Sequence, residues 1–224
     1  MIRLAVLDMA GTTVRDGGVV ERSFVEALGE MGFDPDGDEL RNHLAYVRRT
    51  MGQSKITVFR SVFDGDEVRA QEANQRFETA FDRAVSRGEI EPLPGSEVAL
   101  DALRAHGVRI CLTTGFSSAT RELLMDVLGW RDRVDLSLSP GDGVRGRPFP
   151  DLVLTALMRL ELDAVQEVAV AGDTTSDLVA GTAAGASIVA GVLTGAHDRE
   201  QLASVPHTHL LDSIADLPAV AFPG

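Results

Sequence analysis

The stretch RLAVLDMAGTTV (residues 3–14) decides how the rest of the chain is read. A short apolar run ends on a carboxylate, Asp8, and Gly11 follows three residues later. A run of this length bounded by a turn signal predicts a strand over residues 3–7. A carboxylate at the carboxyl end of such a strand projects into a cleft. Gly11 permits a tight turn that exposes backbone N–H groups.

Working outward, strand-like runs recur at residues 109–113, 135–139, 167–171, 187–193 and 209–211. Helical patterns fall between them at 96–105, 119–128, 151–160, 175–184 and 199–203. This alternation predicts an α/β fold with a Rossmann-like parallel sheet and its active site at the carboxyl ends of the strands. The alternation stops between residues 16 and 91, where only helices are expected, at 20–31, 38–47, 53–63 and 66–86. In the last of these, Val68, Phe77, Ala80, Phe81, Ala84 and Val85 read as an apolar stripe. The segment EPLPG (residues 91–95) punctuates the return to the sheet. The expected organisation is a catalytic core of residues 1–15 and 92–224 with a helical cap of residues 16–91. Residues 141–146 read as a glycine-rich surface loop.

The composition narrows the partners. The chain has 224 residues and a formal charge of −13, which argues against a nucleic-acid partner. The overall field would repel a phosphorylated substrate, so any phosphate site must be built from local cations and backbone donors. No apolar run approaches the ~20 residues of a membrane span, and none resembles a signal peptide. The single cysteine, Cys111, excludes an internal disulfide and is expected as a buried small hydrophobe. A cytoplasmic protein is the simple expectation. Twenty of the 21 basic residues are arginine, and Lys55 is the only lysine.

Three further elements lie at expected strand ends: Thr113-Thr114-Gly115, Arg147-Pro148, and the run from Gly172 to Asp177 with the sequence GDTTSD. Together with the Asp8 turn, in this order on an α/β pattern, they resemble the haloacid dehalogenase superfamily across essentially the whole chain. The resemblance implies that Asp8 is a nucleophile toward phosphorus. It implies that Thr114, Gly115 and Arg147 bind phosphoryl oxygens, with Gly11 and Thr12 of the turn beside them. It also implies Mg2+, held by Asp8, the backbone carbonyl of Ala10 and Asp173, with Asp177 in support. A hard cation would remove much of the repulsion between a carboxylate and an anionic phosphorus centre. Asp173 and Asp177 are one helical turn apart, so both can face one site.

Most phosphatases of the superfamily carry a second Asp two residues after the nucleophile. This chain has Ala10, which cannot do general acid–base work. The pattern Asp-x-Ala-Gly-Thr is similar to the phosphonatase-like clade, the phosphonoacetaldehyde hydrolases and their relatives, and Arg147 fits that clade. MGQSKI (residues 51–56) resembles the phosphonatase cap motif, which implies that Lys55 forms a Schiff base and that Met51 lines the substrate site. The chemistry is consistent. Breaking a C–P bond expels carbon, so no leaving oxygen needs a proton. The carbanion needs an electron sink, and an iminium on Lys55 supplies one. Arginine cannot replace it, because its guanidinium stays protonated. The amine must be neutral, and desolvation, Arg48 or Arg49 nearby, and a helix start near Gln53 would each favour that. Phosphonatases carry a histidine three residues after the lysine, where this chain has Val58; His43 reads first as a satisfied or exposed histidine, with a replacement role as the alternative. Residues 191–218 resemble general superfamily phosphatases instead. The expected substrate is a small phosphonate or phosphate, and the resemblance extends to a homodimer built on the cap. A phosphatase acting on a small phosphomonoester, similar to phosphoglycolate phosphatases, and a non-catalytic phospho-ligand sensor remain alternatives.

Overall fold

The computed structural model describes residues 1–223, with Asp142 described by its backbone. Gly224, the last residue of the expected core segment, lies outside the described residues. Strand β1 (Leu4–Asp8) leads to a two-residue strand β2 (Val14–Arg15) and four helices, α1 (Val19–Glu30), α2 (Asp38–Arg49), α3 (Lys55–Val62) and α4 (Glu67–Ser86). A second short strand, β3 (Glu91–Pro92), brings the chain back. There follow α5 (Ser96–Ala105), β4 (Arg109–Thr113), α6 (Ser118–Leu128), β5 (Leu136–Leu138), α7 (Asp151–Arg159), β6 (Val168–Gly172), α8 (Thr175–Ala184), β7 (Ile188–Val192), α9 (Arg199–Ala203), β8 (His209–Leu211) and α10 (Leu217–Ala221).

The main sheet has six strands in the order β5-β4-β1-β6-β7-β8, each neighbouring pair parallel. β1, β6 and β7 are buried along their whole length. That explains their near-continuous apolar sequences, since a strand covered on both faces does not alternate. The register sets Asp8 beside Thr113, so the carboxyl ends of β1 and β4 are level. Cys111 is buried in β4. No helix among the described residues is long and apolar enough to cross a membrane.

The chain leaves and re-enters the sheet through the β2–β3 ribbon, where Val14 pairs Pro92 and Arg15 pairs Glu91. Sequence periodicity gives no sign of it, because two residues carry no period. The four helices pack around an aromatic cluster. Phe24 lies 4.6 Å from Phe77 and 4.9 Å from Phe59 between ring centroids. Phe81 lies 4.3 Å from Phe116, which belongs to the loop after β4. One apolar cluster therefore runs from the helices into the sheet. A polar contact joins the same faces, with Thr120 Oγ1 donating to Asp82 at 2.8 Å between α6 and α4.

Three local expectations change. Val68 does not join the stripe of α4; it is 78% exposed. It precedes Phe77 by nine residues, and at about 100° per residue that places it on the opposite face. Ala70 and Ala73 take its place in the buried stripe. Helix α3 begins at Lys55, not Gln53, because residues 51–54 are held against the sheet loops. Finally, residues 141–146 are more than a surface loop. They begin within a 3-10 turn (Pro140–Asp142), and a Cβ on Gly146 would lie 3.3 Å from the Cβ of Ser54, the N-cap of α3.

Phe77 is fully buried and touches four other phenylalanine rings. Phe77→Ala should cost about 3–5 kcal/mol in urea denaturation. A cost below about 1 kcal/mol would show that this cluster does not hold the helices together.

Candidate active site

The site is assembled from loops at the carboxyl ends of β1, β4, β5, β6 and β7, with the start of α3 above them. After Asp8 the backbone turns sharply. The N–H groups of Thr13 and Val14 donate to the Met9 carbonyl, and that of Gly11 donates to Val14. Gly11 has φ +88, and a Cβ there would lie 2.4 Å from Asp173 Oδ2. Only glycine fits this approach. The Thr12 hydroxyl donates to Asp173 Oδ1 at 3.3 Å.

Asp8, Asp173 and Asp177 are all buried, and each offers one oxygen within 4.8 Å of the others. Asp177 accepts from the N–H (3.1 Å) and hydroxyl (2.6 Å) of Thr174 in a capping box at the start of α8. The buried Arg147 guanidinium donates to Asp8 Oδ1 at 2.5 Å and also to Asp177. Burial raises the Asp8 carboxyl to about 6, Arg147 opposing the rise and Asp177 adding to it. Asp173 is pushed well above the usual carboxylate range by burial, then by Asp8 and Asp177. Three buried carboxylates against one contacting guanidinium leave charge uncompensated. This is an all-oxygen donor set able to hold a hard divalent cation.

Across the cavity stands Lys55, the first residue of α3, 7% exposed. Its backbone N–H donates to the Gly115 carbonyl at 3.2 Å. Its Nζ lies 5.1 Å from the Phe116 ring centroid and 5.9 Å from that of Phe24. Burial lowers its pKa to about 8, helped by Arg147, while Asp8, Asp16 and Asp173 oppose. The cation acting on it is therefore not Arg48 or Arg49. Arg48 pairs with Glu21, and Arg49 lies over the Tyr46 ring.

A cavity of about 270 Å3 is lined by Asp8, Ala10, Gly11, Met51, Lys55, Thr114, Gly115, Arg147 and Asp173, together with Phe116 and residues 194–196. Thr12 and Asp177 stand behind this wall, holding Asp173 and Arg147 respectively. Gly115 lies so close beneath the α3 loop that a Cβ there would be 2.4 Å from the Gln53 carbonyl oxygen. Likewise a Cβ on Gly52 would be 2.3 Å from Thr174 Oγ1. His43 is elsewhere; its ring packs edge-on against Phe33 in a separate pocket. Sequence reading leaves His197 unassigned, yet it is buried and its Nδ1 accepts from the Thr175 N–H at 3.0 Å. Phe24 and Phe116, whose rings flank the Lys55 amine, were not singled out in the sequence.

The model of the haloacid dehalogenase-like hydrolases matches residues 2–185, and the chain belongs to this family of hydrolases. Its six-stranded parallel sheet is the fold of that family. Among relatives, it is 30% identical over 200 residues to a phosphonoacetaldehyde hydrolase of Syntrophobacter fumaroxidans, covering 82% of this chain and 70% of that one. It is 28% identical over 187 residues to a bifunctional riboflavin kinase/FMN phosphatase of Arabidopsis thaliana, covering 83% of this chain but spanning only about half (47%) of that protein. In structure it is similar to a phosphonoacetaldehyde hydrolase-like protein from Oleispira antarctica, with a TM-score of 0.83, 22% identity, and 98% and 91% of the two chains covered.

A buried lysine with a lowered pKa costs stability. The folded value is about 8 against 10.5 for the ordinary group. Below the folded value the full penalty applies, about 3 kcal/mol. Between the two values the unfolded chain binds more protons, so stability rises with pH. Lys55→Met should therefore be more stable than the wild type at pH 7, by up to about 3 kcal/mol, with the gap shrinking between pH 8 and 10.5. Urea denaturation at pH 7 and pH 10 measures both; a variant no more stable at pH 7 would contradict this placement of the amine.

Proposed function

We propose that this hydrolase cleaves the C–P bond of phosphonoacetaldehyde or a related 2-oxo-phosphonate, with Asp8 as nucleophile and Lys55 as Schiff-base amine. Residues 16–91 serve as its cap and residues 1–15 and 92–224 as its core. The observation that carries this reading is the presence of Lys55, the chain's single lysine, desolvated on the same small cavity as Asp8. A surface lysine has no reason to be buried between two phenylalanine rings at the cost described above.

The Lys55 amine adds to the substrate carbonyl and expels water, giving an iminium. Its lowered pKa raises the fraction of free amine near neutral pH. Asp8 attacks phosphorus while Thr114 and Arg147 hold phosphoryl oxygens. The C–P electron pair moves into the iminium and leaves an enamine on Lys55. Water then hydrolyses the aspartyl phosphate. The enamine is protonated at carbon, and a second water releases the carbonyl product and regenerates the amine. Asp8, Asp173, Asp177 and the Ala10 carbonyl would hold Mg2+, which when bound neutralises charge between the carboxylate and the phosphoryl oxygens. Ala10 offers no proton to a leaving oxygen, which disfavours phosphate esters as substrates. A relative 30% identical in sequence is named a phosphonoacetaldehyde hydrolase, which supports the same reading. The FMN phosphatase relative keeps a phosphomonoester as the second reading.

Lys55→Arg should reduce turnover of phosphonoacetaldehyde at least ~10³-fold, since the variant has no amine nucleophile. Mg2+ binding, followed by calorimetry, should survive. Wild-type protein should hydrolyse an aryl phosphate far more slowly than phosphonoacetaldehyde. A Lys55→Arg variant that retains turnover contradicts the Schiff base, and a wild type faster on the aryl ester favours the phosphatase reading.

A further inference from the structure

The loop after β7, residues 193–197, supplies no group to the reaction proposed above, yet it touches both acid-bearing turns. Thr194 Oγ1 donates to the Gly11 carbonyl at 2.7 Å. The Ala196 N–H donates to Asp173 Oδ2 at 2.7 Å. The next N–H, that of His197, donates to the backbone carbonyl of the same Asp173 at 3.2 Å. The His197 ring turns the other way and accepts the Thr175 N–H at Nδ1, 3.0 Å. Gly195 completes the fit, since a Cβ there would lie 1.9 Å from Asp173 Oδ2.

Thr175 is the first residue of α8, the helix that carries Asp177. Helix starts leave backbone N–H groups without helical partners. Here the capping box is spent inward, with Asp177 reaching back to Thr174. The Thr175 N–H is taken instead by an imidazole from another loop. His197 thus ties the turn after β6, which bears Asp173, to the start of α8, which bears Asp177. With Nδ1 accepting, the neutral ring carries its proton on Nε2. That Nε2 is buried with no hydrogen-bond partner among the described residues, and such a group costs free energy. A purely space-filling role would be met more cheaply by an apolar side chain.

We infer that His197 is a positioning residue for the divalent-cation site, fixing the spacing of Asp173 and Asp177 through Thr175 and the loop of residues 194–197. The inference rests on the reading that the acidic triad holds Mg2+. Outer partners of metal ligands typically change metal affinity 10–100-fold.

The test is titration of the full chain with MgCl2 by calorimetry, in the wild type and three variants, with hydrogen exchange at the Thr175 amide. Asparagine presents an acceptor near the place of Nδ1; glutamine presents it one bond further out. His197→Ala and His197→Gln should weaken Mg2+ binding about 10–100-fold and speed Thr175 exchange. His197→Asn should stay within about threefold of the wild type on both measures. The asparagine and glutamine variants retain a polar side chain, so their difference remains readable if the alanine variant folds poorly. Unchanged Mg2+ affinity in His197→Ala, or equal losses in Asn and Gln, overturns the inference while leaving the magnesium reading intact. A wild type that does not bind Mg2+ overturns both.

Discussion

Three carboxylates are buried within reach of one another, and a single guanidinium, that of Arg147, contacts two of them. This charge imbalance is the constraint on which the site depends. Isolated buried carboxylates would take up protons, and the upward shifts of Asp8 and Asp173 express that tendency. A divalent cation would reverse it. The sheet brings the acids together by topology, since β1 and β6 are neighbours at its centre and both end at the same edge. The overall charge of −13 offers a phosphorylated ligand no help, so local cations, Arg147 and Lys55 among them, must recruit it.

Lys55 answers to the same field from the opposite wall. Burial lowers its pKa and Arg147 lowers it further, while the acids pull the other way. The amine is placed by backbone contacts. Its own N–H is fastened to Gly115, and the loop before it is seated on Gly115 and Thr174 so tightly that no side chain fits at Gly115 or Gly52. The Asp8 carboxylate on the sheet and the Lys55 amine on the helical layer thus share a cavity of about 270 Å3, room for a small molecule. The aromatic cluster of Phe24, Phe77, Phe81 and Phe116 joins the two layers beside it.

Much of this was legible in the sequence. Strands buried on both faces announce themselves as apolar runs, and the helices between them carry their own periodicity. Asp8, Thr114, Arg147 and Asp173, singled out by the resemblance at expected strand ends, line one cavity in the fold. What stayed hidden is tertiary. The β2–β3 ribbon has only two residues per strand. The start of α3 shifted from Gln53 to Lys55 because residues 51–54 are held by loops distant in sequence. Arg48 and Arg49 looked close to Lys55 along the chain, whereas Arg147 is close in space. His197 has no ligand spacing, and its partners, Asp173 and Thr175, emerge only from the fold.

The most direct test of two groups acting on one molecule is the phosphorus content of the lysine adduct. Phosphonoacetaldehyde is mixed with wild-type protein or Asp8→Asn in Mg2+, reduced with borohydride, digested and mapped by mass spectrometry. The expected result is a Lys55 adduct that keeps its phosphorus in Asp8→Asn, where the imine forms but the C–P bond survives, and a phosphorus-free adduct in the wild type. A phosphorus-free Lys55 adduct in Asp8→Asn, or no adduct at Lys55 in either protein, would contradict it.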